Sequence, residues 1–353
     1  MAKTSWSRAI LHLDMDAFYV NVHLLDHPQD AGLPLVVGGR PEGRGVVASA
    51  SYEARRFGVR SAMPAATALR LCPNLKFADH NWPRIKECSR QVMDLLRQVG
   101  PVEQMSVDEA YVDLSAHSPP ETIAIALRRR VKDETGLPAS VGLATSKLVA
   151  KVASDYDKPE GCTIVRPGQE EEFLGPLSVR AIWGIGPRTA ERLSALGITT
   201  CRQLARADVA ALRLEFGRQA ATLQERARGI DKRPVSDEPE LPKSISQERT
   251  FARDVADPEY LQQKLEEMAG AVANSLQRRG LVAHTVTVKF RWADFTTFTR
   301  QKTVSPPIDN EAEITRHAQL LWRQHWPEGK RMRLLGVGVG NLEEPQARQL
   351  TLL

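Results

Sequence analysis

The sequence has few cysteines and no long apolar run. Its four cysteines are widely spaced and include no C-x-x-C pair, which predicts reduced thiols rather than a disulfide framework. No apolar stretch approaches the roughly 20 residues that a membrane-spanning helix needs. The N-terminus lacks a signal-peptide pattern, because Asp14 and Asp16 interrupt its apolar run. These absences predict a cytoplasmic protein with no membrane partner.

The composition is typical of a folded soluble protein, with 42% hydrophobic and 26% charged residues. A length of 353 residues predicts about two to four modules. The net charge is +5, and its positive excess is concentrated in residues 175–236, where eleven Lys and Arg residues stand against five Asp and Glu. A polyanionic partner is therefore expected.

Two acidic clusters carry most of the chemical information. They are residues 11–19 (L-H-L-D-M-D-A-F-Y) and residues 105–113 (M-S-V-D-E-A-Y-V-D), and each adjoins a short apolar run that predicts a buried strand. Carboxylates at such a place need positive charge, and oxygen-only ligands favour Mg²⁺ or Mn²⁺. If the strands are neighbours, Asp14, Asp108 and Glu109 could hold two such ions, an arrangement that suits displacement of pyrophosphate from a nucleotide.

The periodicity predicts an α+β fold with a ferredoxin-like core. Removing residues 18–82 as an insertion leaves the order β-α-β-β-α-β, with both acidic clusters on central antiparallel strands. A further helix over residues 146–156 is expected to bury Leu148, Val149, Val152 and Tyr156. The predicted core elements are strands at 9–15, 102–107, 110–114 and 139–145 and helices at 83–99 and 119–136.

The second half of the chain changes character twice. Short Arg-rich helices follow residue 175, and residues 234–242 read as a polar, proline-rich linker. The remainder repeats a strand and helix pattern, with strands at 285–292, 296–304 and 332–339 and helices at 258–279 and 310–326. One face of that sheet should be apolar. The opposite face is predicted to present the cations Lys289, Arg291, Arg300, Lys302 and Arg333.

The first acidic cluster alone leaves other interpretations open. A D-x-D motif after a strand also occurs in phosphatases of the haloacid dehalogenase type, but here Ala17-Phe18 follows it and no later G-D-x-x-x-D cluster is present. Asp16 also suits a cap of the next helix.

The second cluster is more specific. Together with the first D-x-D and the segments below, the string S-V-D-E-A-Y-V-D-L over residues 106–114 resembles the Y-family DNA polymerases, most closely their bacterial polymerase IV branch. The resemblance covers nearly the whole chain in order. It implies a template-directed, low-fidelity translesion DNA polymerase without a proofreading exonuclease. The alternative from another class is a non-catalytic, polymerase-like accessory protein that only binds DNA and a clamp, although all three expected carboxylates are present.

The resemblance also implies a domain plan and partners. A ferredoxin-like palm with inserted fingers, a small all-α thumb with a helix-hairpin-helix and a C-terminal α+β little-finger domain are expected. The partners would be primer–template DNA, dNTPs and a sliding clamp, with the protein acting as a monomer. The predicted bounds are 1–17 and 83–174 for the palm, 18–82 for the fingers, 175–236 for the thumb, 237–242 for a linker, 243–343 for the little finger and 344–353 for a clamp-binding tail.

Catalytic and metal-binding roles follow from the same resemblance. Asp14 and Asp108 would bridge two Mg²⁺ ions, with the Met15 carbonyl as a further ligand and Mn²⁺ as a possible substitute. Glu109 would bind the ion that activates the primer 3′-hydroxyl. Asp16 is expected to accept hydrogen bonds or cap a helix rather than to coordinate.

The nucleotide site is expected beside these carboxylates. Tyr19 would be a steric gate against the 2′-hydroxyl of the incoming sugar, and Phe18 would line the same site. Tyr52 and Arg55, three residues apart on a helix, would converge on the β- and γ-phosphates. Lys158 in D-K-P-E-G would also bind the triphosphate.

Nucleic acid and clamp contacts complete the expectations. The glycines of I-W-G-I-G would let backbone amides approach a phosphate at a helix N-terminus. The residues expected to contact DNA are Gly184, Gly186, Arg188, Lys289, Arg291, Arg300 and Arg333. The residues expected to bind a clamp are Gln349, Leu350, Leu352 and Leu353.

Overall fold

The computed structural model describes residues 5–238 and 241–345. These residues form two compact units: residues 5–39 with 46–238, and residues 40–45 with 241–345. Across these described ranges, every helix is too short or too polar to cross a bilayer. The two units are each described by themselves below.

The first unit is a mixture of strands and helices. Its strands are β1 (Ile10–Met15), β2 (Leu35–Gly38), β3 (Val47–Ala50), β4 (Lys76–Ala78), β5 (Val102–Gln104), β6 (Glu109–Asp113), β7 (Ala139–Ala144) and β8 (Cys162–Ile164). Its helices are α1 (Phe18–Asp26), α2 (Tyr52–Arg56), α3 (Ala65–Leu71), α4 (Trp82–Arg97), α5 (Pro120–Thr135), α6 (Lys147–Tyr156), α7 (Glu170–Leu174), α8 (Pro187–Ala195), α9 (Cys201–Arg206), α10 (Val209–Phe216) and α11 (Gln219–Ala227).

The main sheet has the strand order β5-β6-β1-β7-β8. Strand β1 lies antiparallel between β6 and β7, while β8 is parallel to β7. Leu11 and Leu13 pack with α4 and α5 on one face, and Ile10 packs with α6 on the other, as the two-residue period of a strand requires. The predicted ferredoxin-like α+β core is therefore confirmed, with β8 as an added edge strand.

Helix α6 lies unusually close to the sheet because strand β7 carries a glycine where they meet. A β-carbon at Gly142 would lie 2.1 Å from the carbonyl oxygen of Ala150. Ser146 caps the helix by accepting from the Val149 N–H at 3.3 Å. One expectation for this helix is wrong: Tyr156 is 62% exposed, because it lies at the last residue and stacks edge-on against Phe173 instead of entering the core.

A smaller sheet lies in the segment predicted as the fingers. Its order is β3-β2-β4, with β3 antiparallel and β4 parallel to β2. Val36 and Val47 pack there with Ala54 of α2 and Ala68 of α3. The segment is thus an insertion with its own small core, between β1 and α4 of the main sheet.

The segment predicted as the thumb is all-helical. Gly184 has φ +94° and Gly186 is the N-cap of α8, so the glycines stand at the turn that precedes a helix, as predicted. Thr200 and Asp208 cap α9 and α10 through their side chains.

The second unit repeats the β-α-β-β-α-β order. Its sheet order is β11-β10-β12-β9, with all neighbours antiparallel. Val286, Val288 and Phe290 pack beneath the two helices. The elements of this unit are β9 (Ser244–Val255), α12 (Pro258–Arg278), β10 (Val282–Trp292), β11 (Thr297–Ile308), α13 (Glu311–His325) and β12 (Met332–Glu343).

The register of β10 and β11 corrects one prediction. Arg300 lies directly opposite Val288, and Lys302 lies opposite Val286. Directly paired residues of an antiparallel sheet share a face, so these two cations are on the helix-covered side and not beside Lys289. The Arg300 guanidinium instead lies 4.7 Å from the Phe298 ring centre.

Candidate active site

The two acidic clusters meet across neighbouring strands. Asp14 at the end of β1 lies directly opposite Glu109 at the start of β6, so their side chains share one face of the sheet. The Met15 N–H also donates to the Asp108 carbonyl oxygen at 3.0 Å. The prediction that these strands are neighbours is therefore confirmed.

Asp14 is paired with a lysine. Its Oδ2 lies 2.7 Å from Nζ of Lys158, which lies 2.7 Å from Asp155 as well. Burial raises the pKa of Asp14 to about 7, although the Lys158 charge acts in the opposite direction. Burial alone would lower the pKa of Lys158, but the two carboxylates outweigh it and raise that pKa. Asp14 therefore has a direct cationic partner, which it shares with Asp155.

Glu109 has different partners. Its Oε2 accepts from Lys151 at 2.7 Å and lies 3.8 Å from Nε2 of His12. Contact with the His12 ring, reinforced by Lys151, holds the pKa of Glu109 well below its usual range. His12 is fully buried, and its Nδ1 lies 2.7 Å from the Ser154 hydroxyl.

Lys151 and His12 were not predicted as site residues. His12 stands two residues before Asp14 on β1, so the strand period places both on one face. Lys151 lies on α6, whose contact with that face depends on packing between segments distant in sequence. The two-residue period of the strand was therefore the one sequence pattern that could have identified a missed site residue, and it applied to His12 alone.

Asp108 lies in the tight turn before β6. The Ser106 hydroxyl donates to Oδ1 of Asp108 at 2.5 Å and accepts from the N–H groups of Asp108 and Glu109. Ser106 thus fixes the turn and the direction of the Asp108 carboxylate.

Asp16 is saturated with hydrogen bonds from the protein. It accepts from the Tyr52 hydroxyl at 3.1 Å, from the Ser140 hydroxyl at 3.0 Å and from the Glu160 N–H at 2.8 Å. The expectation of a hydrogen-bonding role is confirmed. The capping alternative is wrong, since Ala17 is the N-cap of α1 and that end has no side-chain cap.

A cavity of about 150 Å³ lies over Asp14 and Asp108. It is bounded by the main sheet, the start of α1, strand β3 and helix α2. Glu109 stands outside this lining, bonded to Lys151. The predicted site residues that line the cavity are Asp14, Met15, Phe18, Tyr19, Tyr52, Arg55, Asp108 and Lys158.

Helix α2 places two of these groups side by side. Ser51 caps it by accepting from the Ala54 N–H at 3.2 Å. The Arg55 guanidinium lies 4.6 Å from the centre of the Tyr52 ring, as the three-residue spacing predicts. Burial raises the pKa of Tyr52 to about 12, so its hydroxyl remains a hydrogen-bond donor.

The donor set suits a hard divalent cation. Asp14, Asp108 and the Met15 carbonyl offer only oxygen atoms at the cavity, which is the chemistry that Mg²⁺ prefers. Within residues 5–238 and 241–345, no three His, Cys, Asp or Glu side chains are already grouped as a metal site. Asp14 and Glu109 are paired with the ammoniums of Lys158 and Lys151, and Asp108 accepts from the Ser106 hydroxyl. A cation would share or replace those contacts.

The predicted DNA-contacting residues are placed in several environments. Arg188 is exposed in the first turn of α8, beside the glycine turn. Lys289 bonds to Glu248 at 2.8 Å, and Arg291 donates to the Thr297 hydroxyl at 2.7 Å. The Arg333 guanidinium lies 4.3 Å from the Phe295 ring centre. The predicted clamp-binding residues 349–353 lie outside the described residues.

Comparison with known sequences identifies similar proteins over the full length. Residues 13–155 match the impB/mucB/samB family, residues 242–352 match the C-terminal domain of that family, and residues 167–198 match the IMS family HHH motif. The chain is 42% identical to DNA polymerase IV of Halorhodospira halophila, over 97% of each chain. It is also 42% identical to DNA polymerase IV of Gluconobacter oxydans, over 98% of this chain and 99% of the relative.

A comparison with solved structures also identifies a DNA polymerase. The Y-family DNA polymerase chimera Dbh-Dpo4(243-245)-Dbh superposes with a TM-score of 0.85 and 25% identity, over 96% of this chain and 100% of the chimera. The similarity thus extends across both units.

Proposed function

Because this chain belongs to the Y-family DNA polymerases of the impB/mucB/samB family, we propose that the cavity over Asp14 and Asp108 is its site of nucleotide addition. The protein is a template-directed DNA polymerase of the translesion type, a class that typically lacks proofreading. The observation that carries the proposal is the convergence of acidic residues with Tyr52, Arg55 and Lys158 around one cavity. Family membership rules out the phosphatase alternative, and the intact acidic set argues against a non-catalytic accessory.

The carboxylates of Asp14, Asp108 and Glu109 are the proposed ligands of the metal ions on which the family depends. Metal dependence is common to Y-family polymerases, and we propose two Mg²⁺ ions, with Mn²⁺ as a substitute, held by Asp14, Asp108, Glu109 and the Met15 carbonyl. When bound, such ions lower the pKa of the primer hydroxyl and neutralise the departing pyrophosphate. Ser106 would keep Asp108 directed at the cavity, and Lys151 would keep Glu109 ionised.

The triphosphate would be held by three groups that line the cavity. The Tyr52 hydroxyl would redirect its proton from Asp16 to a phosphate oxygen, and the Arg55 guanidinium can bond in bidentate fashion. The Lys158 ammonium can exchange Asp14 for a phosphate oxygen on its flexible side chain. These three contacts would orient the nucleotide before the reaction begins. Positioning and electrostatic stabilisation are the main contributions that a protein makes to phosphoryl transfer.

Selection of the sugar and the base would come from other residues that line the cavity, which are Phe18, Tyr19 and Ala48. Tyr19 and Phe18 form the first turn of α1 and line the cavity, so the Tyr19 ring would meet a 2′-hydroxyl while accepting a deoxyribose. Ala48 of β3 also lines the cavity. A side chain this small leaves room above the nascent base pair, which suits tolerance of distorted templates.

The remaining proposals concern DNA, partners and domain bounds. The glycine turn with Arg188, together with Lys289, Arg291 and Arg333, would contact primer–template DNA without reading its sequence. The tail at 344–353 would bind a sliding clamp, and the protein would act as a monomer in the cytoplasm. The bounds proposed are 1–17 and 83–174 for the palm, 18–82 for the fingers, 175–236 for the thumb, 237–242 for the linker and 243–343 for the little finger.

A primer-extension assay tests this proposal most simply. Asp108→Asn and Glu109→Gln should each lower single-nucleotide incorporation by on the order of 10³-fold, because each removes charge worth several kcal/mol in the transition state. Affinity for primer–template should change little. Asp113→Asn, a change of the same kind on strand β6, is the matched control, and full activity in Glu109→Gln would overturn the proposal.

A further inference from the structure

The ring of Tyr19 packs against two aromatic rings that do not line the nucleotide cavity. His80 and Trp82 meet it edge-on, at centroid distances of 5.9 Å and 5.7 Å and interplanar angles of 69° and 70°. The two backing rings are stacked on each other at 5.3 Å with an angle of 4°. Edge-to-face packing of this kind is a favourable, directional contact, so Tyr19 rests against a defined aromatic wall.

Two secondary-structure elements hold the wall in place. Strand β4 ends at Ala78, and Asn81 caps α4 by accepting from the Arg84 N–H at 3.2 Å. Trp82 is therefore the first residue of α4, and His80 lies in the short connection before it. The wall is anchored to the small sheet on one side and to the main helix layer on the other.

A second cavity lies behind Tyr19. Its volume is about 260 Å³. Its lining combines Tyr19, Val22, Phe77 and Ile85 with the charged residues Asp26, Lys76, Asp79 and Arg84. Tyr19 thus lies between this space and the nucleotide cavity, and lines both. A cavity of roughly 150 Å³ already accommodates a benzene ring, so the space is large enough to receive the phenol ring if Tyr19 changed rotamer.

We propose that Trp82, supported by His80, is a positioning residue that holds Tyr19 toward the nucleotide sugar and thereby sets discrimination against ribonucleotides. The inference rests on the proposed role of Tyr19 as a gate. Without the indole, the phenol ring loses an edge-on contact that fixes its orientation. The ring can then turn into the rear cavity that it already lines, and the space for a 2′-hydroxyl opens. Trp82 acts through Tyr19, since Trp82 does not line the nucleotide cavity.

Trp82 can be changed without a large loss of core packing. It is 47% exposed and lies at the end of a helix, so Trp82→Ala should leave incorporation of dNTPs within about threefold of the wild-type value. Loss of one aromatic pair should raise the ratio of ribonucleotide to deoxynucleotide incorporation by up to about tenfold. The change should appear mainly in kcat/KM for the ribonucleotide.

The test is single-nucleotide incorporation with each dNTP and rNTP on one primer–template. Four variants are compared with the wild type: Tyr19→Ala, Trp82→Ala, Trp82→Phe and the double variant of Tyr19→Ala with Trp82→Ala. Trp82→Phe keeps a flat ring and should restore most of the selectivity. The double variant should be no less selective than Tyr19→Ala alone, because Trp82 acts only through the ring of Tyr19. Tyr260→Ala, another exposed aromatic on α12, is the matched control and should keep wild-type selectivity.

The outcomes distinguish the positioning role of Trp82 from the gate role of Tyr19 on which it rests. Relaxed selectivity in Tyr19→Ala with unchanged selectivity in Trp82→Ala would overturn the positioning role and leave the gate intact. Unchanged selectivity in Tyr19→Ala would remove the gate itself. Should Trp82→Ala fold poorly, Trp82→Leu keeps an apolar side chain but removes the flat ring and much of its volume, and wild-type selectivity in that variant would equally refute the inference.

Discussion

Nζ of Lys158 lies 2.7 Å from Oδ2 of Asp14, and the two residues line the same cavity. A buried carboxylate is costly without a neutralising partner, so the lysine stabilises Asp14 before a nucleotide arrives. The same ammonium lines the cavity in which we propose that the triphosphate binds. Lys158 would therefore exchange one anion for another as the substrate binds.

Lys158→Ala should weaken nucleotide binding more than it slows chemistry. A charge-assisted hydrogen bond contributes about 1.5–3 kcal/mol, so KM for the dNTP should rise by roughly 10- to 100-fold. Steady-state incorporation against dNTP concentration measures this change. Lys264→Ala, which removes an equal charge from α12, should leave KM unchanged, and an unaltered KM in Lys158→Ala would remove the lysine from the triphosphate site.

Arg188→Ala should reduce both DNA affinity and its dependence on salt. Each phosphate contact that is lost lowers the slope of log affinity against log salt by about one. Fluorescence anisotropy with a labelled primer–template at several salt concentrations gives that slope. Arg279→Ala, at the C-terminal end of α12, removes the same charge from a helix. If both variants gave the same slope, net charge rather than a contact beside the glycine turn would explain the binding.

Gly142→Ala should destabilise the first unit. The added β-carbon would meet the backbone of α6 at 2.1 Å, and overpacking of this kind costs about 1–3 kcal/mol or more. The free energy of unfolding, from urea titration followed by circular dichroism, measures the effect. Gly43→Ala meets no atom within 4 Å and should be close to neutral, whereas equal stability of the two variants would contradict the close packing of α6.

Much of the fold follows from local patterns in the sequence. The alternation along β1 and the β-formers around Asp108-Glu109 were sufficient to predict two neighbouring strands. The proline start and glycine end of α5 fixed its bounds within a residue at each end, since Pro120 begins it and Gly136 is its left-handed C-cap. Patterns of this kind depend only on residues that are close in sequence, so the packing of distant segments does not change what they predict.

The features that were missed depend on packing between distant segments. Lys151 reaches Glu109 across 42 residues, and nothing local marks it as a partner. The faces of Arg300 and Lys302 follow from the register that the turn between β10 and β11 imposes, and a shift of one residue reverses a strand's faces. Tyr156 fits the apolar period of α6, but the helix extends beyond the surface that it covers.

Asp14, with the Asp108–Glu109 pair, would hold the divalent cations needed for nucleotide addition. Mn²⁺ binding followed by electron paramagnetic resonance, with primer–template and a non-hydrolysable dNTP present, tests it directly. The wild type should bind about two ions per chain, and Asp14→Asn should bind at least one of them about tenfold or more weakly. Equal stoichiometry and affinity in the two proteins would contradict the account.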